Sequence, residues 1–303
     1  MSTMKQPNLS GTGVALVTPF RDGRVDYTAL QRLIEHVIGG GVDFIVSLGT
    51  TGEAITLSAR ECREVFDFTI RQVDGRKPLV AGLFGSNYTE KLVQGVKNYN
   101  LEGFDAIMSS SPAYNKPPQE GIYQHYMALS EVSPLPIIIY NVPGRTGSNV
   151  LPETVLRLAE ASEKFLAVKE ASGDLIQGMQ IVKHRPDHFL VLSGDDPTAL
   201  ALTACGGDGV ISVIANLYPE HWSTMIRAAR QGNLATATRL HLDLLDVHPW
   251  LYADSNPSGV KAGLEILGLC TKDVRIPLAP QSPENYTGLQ QAMAQVPMDV
   301  EVE

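Results

Sequence analysis

The stretch "FLAVKEASGD", residues 165–174, combines the pattern of a buried strand with a charged side chain at its end. Phe165 to Val168 are apolar without a break, which is typical of a strand that is covered on both faces. Lys169 follows directly, although lysine is among the side chains least often buried in proteins. The stretch therefore predicts a strand of a parallel sheet whose carboxyl end carries an amine at the edge of the core.

Seven more apolar runs of the same kind are spread over the first two thirds of the chain. They are 13–19, 43–49, 78–83, 104–110, 136–143, 189–196 and 209–216. Segments with amphipathic, helix-forming sequence separate them, at 26–39, 58–73, 89–100, 119–131, 152–160, 174–184 and 196–205. Four side chains are suitable N-caps for these helices: Asp26, Ser58, Asp174 and Asp196. Eight strands that alternate with helices predict an α/β fold of the (β/α)₈ TIM-barrel class.

A doubly wound open sheet is the alternative arrangement for the same alternation. A dinucleotide-binding sheet of that kind carries the pattern G-x-G-x-x-G after its first strand. Here the first strand ends in "VTPFRDGR", residues 17–24, which lacks the pattern. The barrel is therefore the favoured prediction.

The chain continues for nearly ninety residues after the eighth predicted strand. Four segments there are predicted to be helical, at 219–231, 233–247, 257–268 and 283–294. Only the first is needed to close a barrel. We therefore expect a catalytic barrel domain over 1–232 and a helical C-terminal extension over 233–303, packed on the barrel or on a neighbouring subunit.

Composition excludes several classes of protein. The net charge of the 303 residues is −9 and no Lys/Arg-rich run is present, which argues against binding to nucleic acid or to an anionic membrane. The opening "MSTMKQPNLS" has no apolar signal-peptide core, and the apolar runs are too short to span a bilayer. Three widely spaced cysteines predict neither a disulfide framework nor a metal site, so we expect a cytoplasmic protein.

Active sites of (β/α)₈ barrels lie at the carboxyl ends of the strands. The side chains that end the predicted strands are Thr18, Thr50, Thr51, Ser109 to Ser111 with Tyr114, Tyr140, Lys169, Gly194 with Asp195, and Ser212. Most are hydroxyls and one is an amine, with no cluster of metal ligands and no G-x-S-x-G nucleophile motif. Asp195 and Asp196 are interpreted as a turn and a helix cap, and His241 and His248 as residues of solvated helix faces or loops.

Amine chemistry remains as the principal possibility. Desolvation disfavours the ammonium form of a buried lysine, and a neutral amine attacks a ketone to form a Schiff base. Tyr140 can relay protons at such a centre if Thr51 or Tyr114 assists it. The alternative is a lysine at a strand end that is paired with Glu170 or Asp195 and has no catalytic role.

Seven motifs occur in an order that resembles a known family. They are "GVALVTPF" (13–20), "GTTGE" (49–53), "SSPAYNKPPQEGIYQHY" (110–126), "YNVPGRTG" (140–147), "VKEASGD" (168–174), "SGDD" (193–196) and "GVISVIAN" (209–216). The chain is similar over about residues 11 to 270 to the dihydrodipicolinate synthase / N-acetylneuraminate lyase family of pyruvate-dependent lyases. The resemblance implies a (β/α)₈ barrel with a helical extension, assembled as a homotetramer that is a dimer of dimers.

The resemblance also implies roles for four catalytic residues. Lys169 matches the lysine that forms the Schiff base with pyruvate, so no cofactor and no metal are expected. Tyr140 matches the tyrosine that moves protons at the imine. Thr51 matches the threonine that links two tyrosines into a relay. Tyr114 matches the tyrosine that reaches into the neighbouring subunit's site.

Further residues are implied to bind the substrates. Thr50 and Thr51 match the pair that holds the pyruvate carboxylate, while the Ile211 carbonyl and Gly194 match positions that line the pocket. Arg145 matches the arginine that binds the carboxylate of L-aspartate 4-semialdehyde, for which a bidentate guanidinium is well suited.

The paired threonines and Arg145 favour the synthase activity within the family. That activity condenses pyruvate with L-aspartate 4-semialdehyde to 4-hydroxy-tetrahydrodipicolinate, on the route to diaminopimelate and lysine. Ser258 and Gly259 depart from the pattern common among synthases. The alternatives are another pyruvate-dependent aldolase that acts on N-acetylneuraminate or a keto-deoxy sugar acid, and a pyruvate-binding protein without turnover.

Overall fold

A computed structural model describes residues 6–297 and residue 300 of the chain. Its centre is a closed barrel of eight parallel strands, in which neighbours along the chain pair and the last strand pairs with the first. The strands are β1 (Gly11–Ala15), β2 (Phe44–Ser47), β3 (Leu79–Gly85), β4 (Ala106–Ser110), β5 (Ile137–Asn141), β6 (Phe165–Glu170), β7 (Leu190–Ser193) and β8 (Gly209–Ser212). The closed ring confirms the predicted (β/α)₈ barrel and contradicts the open sheet.

Eight helices surround the barrel. They are α1 (Tyr27–Gly39), α2 (Ala59–Val73), α3 (Thr89–Asn98), α4 (Gln119–Val132), α5 (Pro152–Ala161), α6 (Leu175–His184), α7 (Asp196–Ala204) and α8 (Pro219–Arg230). The predicted caps Asp26, Ser58 and Asp174 each accept a backbone N–H of the first turn. These side chains satisfy donors that have no partner inside the helix, which is why each helix begins where it does.

The junction that closes the barrel depends on glycine. Gly11 of β1 pairs with Gly209 of β8. A Cβ on Gly209 would lie 1.9 Å from the carbonyl oxygen of Gly11, and the φ of Gly209 is +149°. Only glycine permits this approach of the two backbones, so this residue pair sets how the ring closes.

Two apolar layers result from the alternation of side chains along the strands. The inner layer fills the barrel and includes Phe44, Met108, Tyr140 and Leu192. The outer layer lies between the strands and the helices. A barrel interior filled in this way is a packed core rather than a channel. A substrate can therefore bind only at an end of the barrel, where the loops lie.

The described part of the C-terminal extension contains four further helices. They are α9 (Leu234–Leu245), α10 (His248–Tyr252), α11 (Ser258–Ile266) and α12 (Pro283–Met293). Gly232, with a φ of +80°, forms the turn between α8 and α9. The division of the chain into domains at residue 232 stays a prediction. Among the described residues, no helix has both the length and the apolar character that a membrane crossing requires.

Two predicted strand bounds and the predicted position of one histidine differ from the structure. The first strand spans Gly11–Ala15 rather than 13–19, and the last ends at Ser212 because residues 214–216 form a 3₁₀ turn in which the Ser212 hydroxyl accepts the N–H of Ala215. His248 is buried, with its ring 5.5 Å from that of Trp222, so its expected solvated position is wrong. The sequence of a helix of five residues does not show that Trp222 of α8 packs against it.

Candidate active site

Lys169 and Tyr140 form the centre of the carboxyl end of the barrel. They are register partners on β6 and β5, and the Nζ of Lys169 lies 4.4 Å from the centroid of the Tyr140 ring. Their exposed fractions are only 5% and 7%. The structure thus places a buried amine against the face of an aromatic ring whose hydroxyl can exchange protons.

The alternation of the two strands explains why both side chains point inward. On β5, Ile139 belongs to the outer layer and Tyr140 to the inner one. On β6, Val168 belongs to the outer layer, so Lys169 faces the barrel interior and Glu170 faces the helices. The apolar run therefore decides the direction of the lysine.

Gly194 leaves room for the lysine at the end of β7. A Cβ at this position would lie 2.9 and 3.0 Å from Cγ and Cε of Lys169, and 2.5 Å from the Cβ of Ala171. Its backbone N–H donates to the carbonyl of Glu170 at 2.6 Å. The predicted pocket residue Gly194 is therefore in contact with the predicted nucleophile.

The alternative in which Lys169 is merely neutralised by a neighbouring carboxylate is wrong. In the described part of the chain, Lys169 forms no ion pair. The Glu170 carboxylate faces away and accepts hydrogen bonds from Asn141 and Gln177, both at 2.9 Å. Asp195 accepts the hydroxyl of Thr198 at 2.7 Å. The amine is left without a fixed counter-ion beside it.

The loop "GTTGE" after β2 brings Thr51 to the same end of the barrel. Thr51 is buried, and its hydroxyl oxygen accepts the side-chain N–H of Asn256 at 3.1 Å. Thr50 is half-buried. Thr18 lies at the end of the first predicted strand. Its hydroxyl donates to the carbonyl of Gly52 at 2.7 Å and so holds the loop.

Tyr114 does not join the other predicted catalytic residues within one chain. Its side chain is 89% exposed, and its φ of +74° lies in the left-handed region that non-glycine residues rarely occupy. Its backbone N–H donates to the carbonyl of Thr146 at 3.0 Å. The loop is thus held in an unfavourable conformation that directs a large side chain outward, and no hydrogen bond links Tyr114 to Thr51 or Tyr140 in the described residues.

Arg145 lies on the short helical turn Pro143–Thr146 after β5. Its side chain is exposed, and its Nη2 lies 3.5 Å from the backbone carbonyl of Asn256. Asn256 therefore contacts both the Thr51 hydroxyl and the Arg145 guanidinium. Ile211 is buried in the inner layer with Tyr140.

Two residues of the extension that contact this end of the barrel were missed in the sequence. Asn256 holds Thr51, and Lys261 of α11 forms a fully buried ion pair with Glu53 of the "GTTGE" loop. The available signal was the segment "SNPSGVKAGLE", residues 255–265, in which Ser258 and Gly259 depart from the pattern common among synthases. The extension is therefore part of the site.

Asp196 has a different function from the predicted helix cap. Asp195 stands at the N-cap position of α7, and the Asp196 carboxylate accepts the backbone N–H groups of Val213 and Ile214 at 2.9 and 2.8 Å. Burial raises the pKa of Asp196 to about 6, although these donors oppose the shift. Asp196 thus fixes the turn after β8, next to the strand that carries Ile211.

The arrangement places an amine, a phenol, hydroxyl groups and a guanidinium at one end of a closed barrel. The amine of Lys169 and the ring of Tyr140 lie together in a buried region. The threonine pair and Arg145 surround it from the loops after β2 and β5. Such a set suits a small keto acid that becomes covalently attached to the lysine.

Comparisons with known proteins show what the chain is similar to. A family model for the dihydrodipicolinate synthetase family matches residues 8–296. The chain is 48% identical over 269 residues to the 4-hydroxy-tetrahydrodipicolinate synthase of Flavobacterium psychrophilum, which covers 88% of this chain and 92% of that protein. It is 46% identical over 278 residues to the synthase of Phocaeicola vulgatus, with 91% and 93% covered.

Solved structures show the same likeness in three dimensions. The dihydrodipicolinate synthase of Thermotoga maritima superposes with a TM-score of 0.92 at 37% identity, covering 95% of this chain and 98% of that one. The chloride-inhibited synthase of Acinetobacter baumannii, solved in complex with pyruvate, gives a TM-score of 0.91 at 39% identity, with 95% and 99% covered.

Proposed function

The chain belongs to the dihydrodipicolinate synthetase family, and from that premise we propose that Lys169 carries its reaction. The enzyme is a Schiff-base lyase that condenses pyruvate with L-aspartate 4-semialdehyde to 4-hydroxy-tetrahydrodipicolinate. The observation that supports the role of Lys169 most directly is its buried amine, which lies against Tyr140 and has no counter-ion among the described residues.

The first half of the proposed mechanism activates pyruvate. The Lys169 nitrogen attacks the ketone carbon, and the carbinolamine loses water to give an imine. The Tyr140 hydroxyl donates the proton that leaves with this water and recovers one afterwards. The protonated imine then withdraws electrons from the adjacent methyl group, which loses a proton and becomes the nucleophilic carbon of an enamine.

The second half forms the new bond. The enamine carbon attacks the aldehyde carbon of the second substrate, and the aldehyde oxygen takes up a proton. The amino group of the semialdehyde portion then attacks the imine carbon, which closes the ring and releases Lys169 as a free amine. No resident cofactor or metal takes part in this proposal, because the lysine itself supplies the electron sink.

The surrounding groups account for the choice of substrates in the proposal. The hydroxyl and backbone groups of Thr50 and Thr51 hold the pyruvate carboxylate, while Gly194 and the carbonyl of Ile211 line the pocket. Arg145 binds the carboxylate of the semialdehyde. Because its guanidinium is exposed at the mouth, it can accept a ligand without first losing a buried partner.

Trapping with borohydride tests the covalent step. Reduction in the presence of pyruvate is expected to add a pyruvate-derived mass to the peptide that contains Lys169, and Lys169→Ala should abolish the addition. Lys164 is a matched control, since it precedes β6 at the opposite end of the barrel and donates to the carbonyls of Ser130 and Ser133. An adduct that survives in Lys169→Ala, or no adduct in the parent, would contradict the proposed mechanism.

The role of Arg145 separates the synthase from the other aldolases of the family. Arg145→Ala is expected to lower turnover with aspartate semialdehyde much more than the rate of pyruvate trapping. Comparing aspartate semialdehyde with N-acetylmannosamine in the parent enzyme checks the acceptor. Faster turnover with N-acetylmannosamine would favour the alternative activity instead.

We also propose that the chain assembles as a dimer of dimers. Three of the most exposed large hydrophobic side chains, Ile55, Tyr88 and Tyr114, follow the consecutive strands β2, β3 and β4, with exposed fractions of 97%, 61% and 89%. The loops of Tyr88 and Tyr114 are joined by a hydrogen bond from Asn115 to the carbonyl of Asn87. A partner subunit that covers these side chains would remove apolar surface from water and bring Tyr114 into its site.

A second exposed apolar set supports the further association of dimers. It comprises Ile176 and Met179 on α6 with Leu242 and Leu245 on α9. Sedimentation velocity measures the assembly. Mixing Lys169→Ala with Tyr114→Phe tests the crossing tyrosine, because a hybrid dimer would regain one intact site. Activity that does not recover on mixing would refute the crossing role.

A cytoplasmic location completes the proposal. The thiols of Cys62, Cys205 and Cys270 are free, which is consistent with a reducing compartment. Fractionation of cells that express the chain from its own gene tests the location directly.

A further inference from the structure

A buried network of amide side chains surrounds the carboxylate next to the nucleophile. Glu170 follows Lys169 on β6, and its side chain is buried on the outer face of the barrel. We propose that Glu170 is a positioning residue that, through Asn141, holds Lys169 against Tyr140. The inference rests on the proposed function only for the role of the lysine, since the network itself is seen directly.

The Glu170 carboxylate accepts hydrogen bonds from three neutral groups. Oε2 accepts the side-chain N–H groups of Asn141 and Gln177, both at 2.9 Å, and Oε1 accepts the backbone N–H of Ser172 at 2.8 Å. Within the described residues, no lysine or arginine forms an ion pair with it. The charge is therefore held by hydrogen bonds alone, an arrangement that is costly to bury unless it is complete.

The amides also satisfy one another. Asn141 donates to the Oδ1 of Asn149 at 2.8 Å and accepts the backbone N–H of Val150 at 2.9 Å. Asn149 donates to the Oε1 of Gln177 at 2.9 Å. The network thus connects β5, β6, α6 and the segment before α5 through side-chain hydrogen bonds.

The register of the strands connects this network to the catalytic pair. In the register of β5 and β6, Tyr140 pairs with Lys169, and the next pair along the two strands is Asn141 with Glu170. The outward pair and the inward pair are therefore neighbours on the same two strands. Side chains alternate between the two faces of the strands. Holding Asn141 and Glu170 in place therefore also fixes the angle, and the position along the strands, at which Tyr140 and Lys169 meet.

The donor and acceptor pattern predicts how the network fails. A glutamine at position 170 would place at least one N–H against the N–H of Asn141, Gln177 or Ser172. An aspartate at position 141 would bury a second carboxylate beside the first. Both changes preserve size, so each disturbs the hydrogen bonding and not the packing.

Combining the two changes restores the pattern. The side-chain amide introduced by Glu170→Gln can donate to the carboxylate introduced by Asn141→Asp, and that carboxylate still accepts the N–H of Val150. Rotation of the Asn149 and Gln177 amides then leaves every donor opposite an acceptor. The double variant therefore carries the same single buried charge on the other strand.

The experiment compares Glu170→Gln, Asn141→Asp and the double variant with Glu163→Gln, whose exposed side chain just precedes the same strand. The rate of borohydride trapping is measured as a function of pyruvate concentration. Each single variant is expected to trap roughly tenfold to a hundredfold more slowly at saturating pyruvate, with an unchanged half-saturating concentration. The double variant should recover most of the rate, and Glu163→Gln should match the parent.

Hydrogen exchange gives a readout that needs no reaction. Amides of 137–141 and 165–170 should lose protection in the single variants and regain it in the double variant. Parent-like trapping and exchange in Glu170→Gln, or a double variant slower than both single variants, would overturn the inference. If the parent itself forms no adduct, the proposed function fails, and the exchange data alone decide whether the network positions the strands.

Discussion

Replacing Lys261 by methionine tests how the C-terminal extension holds the loop that carries the threonine pair. The side chains of Lys261 and Glu53 form an ion pair in which both have an exposed fraction of 0%. The Nζ of Lys261 also donates to the carbonyl of Asp273 at 2.8 Å and lies 4.0 Å from the centroid of the Phe20 ring. Desolvation lowers the pKa of Lys261, which the charge of Glu53 opposes.

The expected loss in the free energy of unfolding follows from the burial of Glu53, the partner of Lys261. Methionine nearly preserves the volume of lysine, so little cavity is formed. Among the described residues, the hydrogen bond that remains to the Glu53 carboxylate comes from the backbone N–H of Arg275, at 3.1 Å, and the carboxylate stays buried without its ion-pair partner. Removing one member of a buried pair costs about 3–5 kcal/mol of the free energy of unfolding. The double variant Glu53→Gln/Lys261→Met removes both charges and should regain most of this loss.

Urea unfolding followed by circular dichroism measures the free energy of unfolding of each variant. Lys272→Met is the matched control, because Lys272 pairs with Glu265 at 3.4 Å with 38% of its side chain exposed and should lose less than about 1 kcal/mol. A Lys261→Met protein within about 1 kcal/mol of the parent would refute the reasoning. So would a double variant that is no more stable than the single one.

Two further predictions concern the lysine pocket and the response to acid. Gly194→Ala is expected to slow pyruvate trapping strongly while the protein stays folded, because the new Cβ would displace Lys169 and Ala171; a parent-like trapping rate would contradict this. Burial lowers the pKa of His248 to about 4 from 6.5, so the unfolded state binds the proton first and stability falls by up to roughly 3 kcal/mol as the pH drops from 6.5 to 4. Asp196, whose pKa is raised to about 6, acts in the opposite direction. The test therefore compares urea unfolding of His248→Phe with that of the parent at each pH. The free energy of unfolding of His248→Phe is expected to fall less as the pH drops.

Most of the fold was predictable because each strand has a recognisable local sequence pattern. The stretch at 165–174 predicted β6, observed as Phe165–Glu170, and the caps Ser58 and Asp174 located the starts of α2 and α6. The errors arose where a local pattern is shared by two structures. "GVISVIAN", residues 209–216, reads as one strand, yet its second half turns into a 3₁₀ segment because Asp196 captures its amides.

The sequence by itself determined where the amine lies. A continuous apolar run that ends in lysine places the side chain at the mouth of a barrel, and alternation along β5 and β6 turns Lys169 and Tyr140 to the same side. These are consequences of backbone geometry with a period of two residues, which a sequence displays directly.

Only the tertiary structure decided what surrounds that amine. Asn256 meets Thr51 across 205 positions of sequence, and Lys261 meets Glu53 across 208. The tertiary structure also brought the amides of Asn141 and Gln177 to the outward-facing Glu170 carboxylate. Contacts of this kind depend on how helices and loops pack around the closed ring, and a side chain has no local pattern that reveals a distant partner. The reactive group was therefore encoded locally, whereas its hydrogen-bonded supports were assembled by the fold.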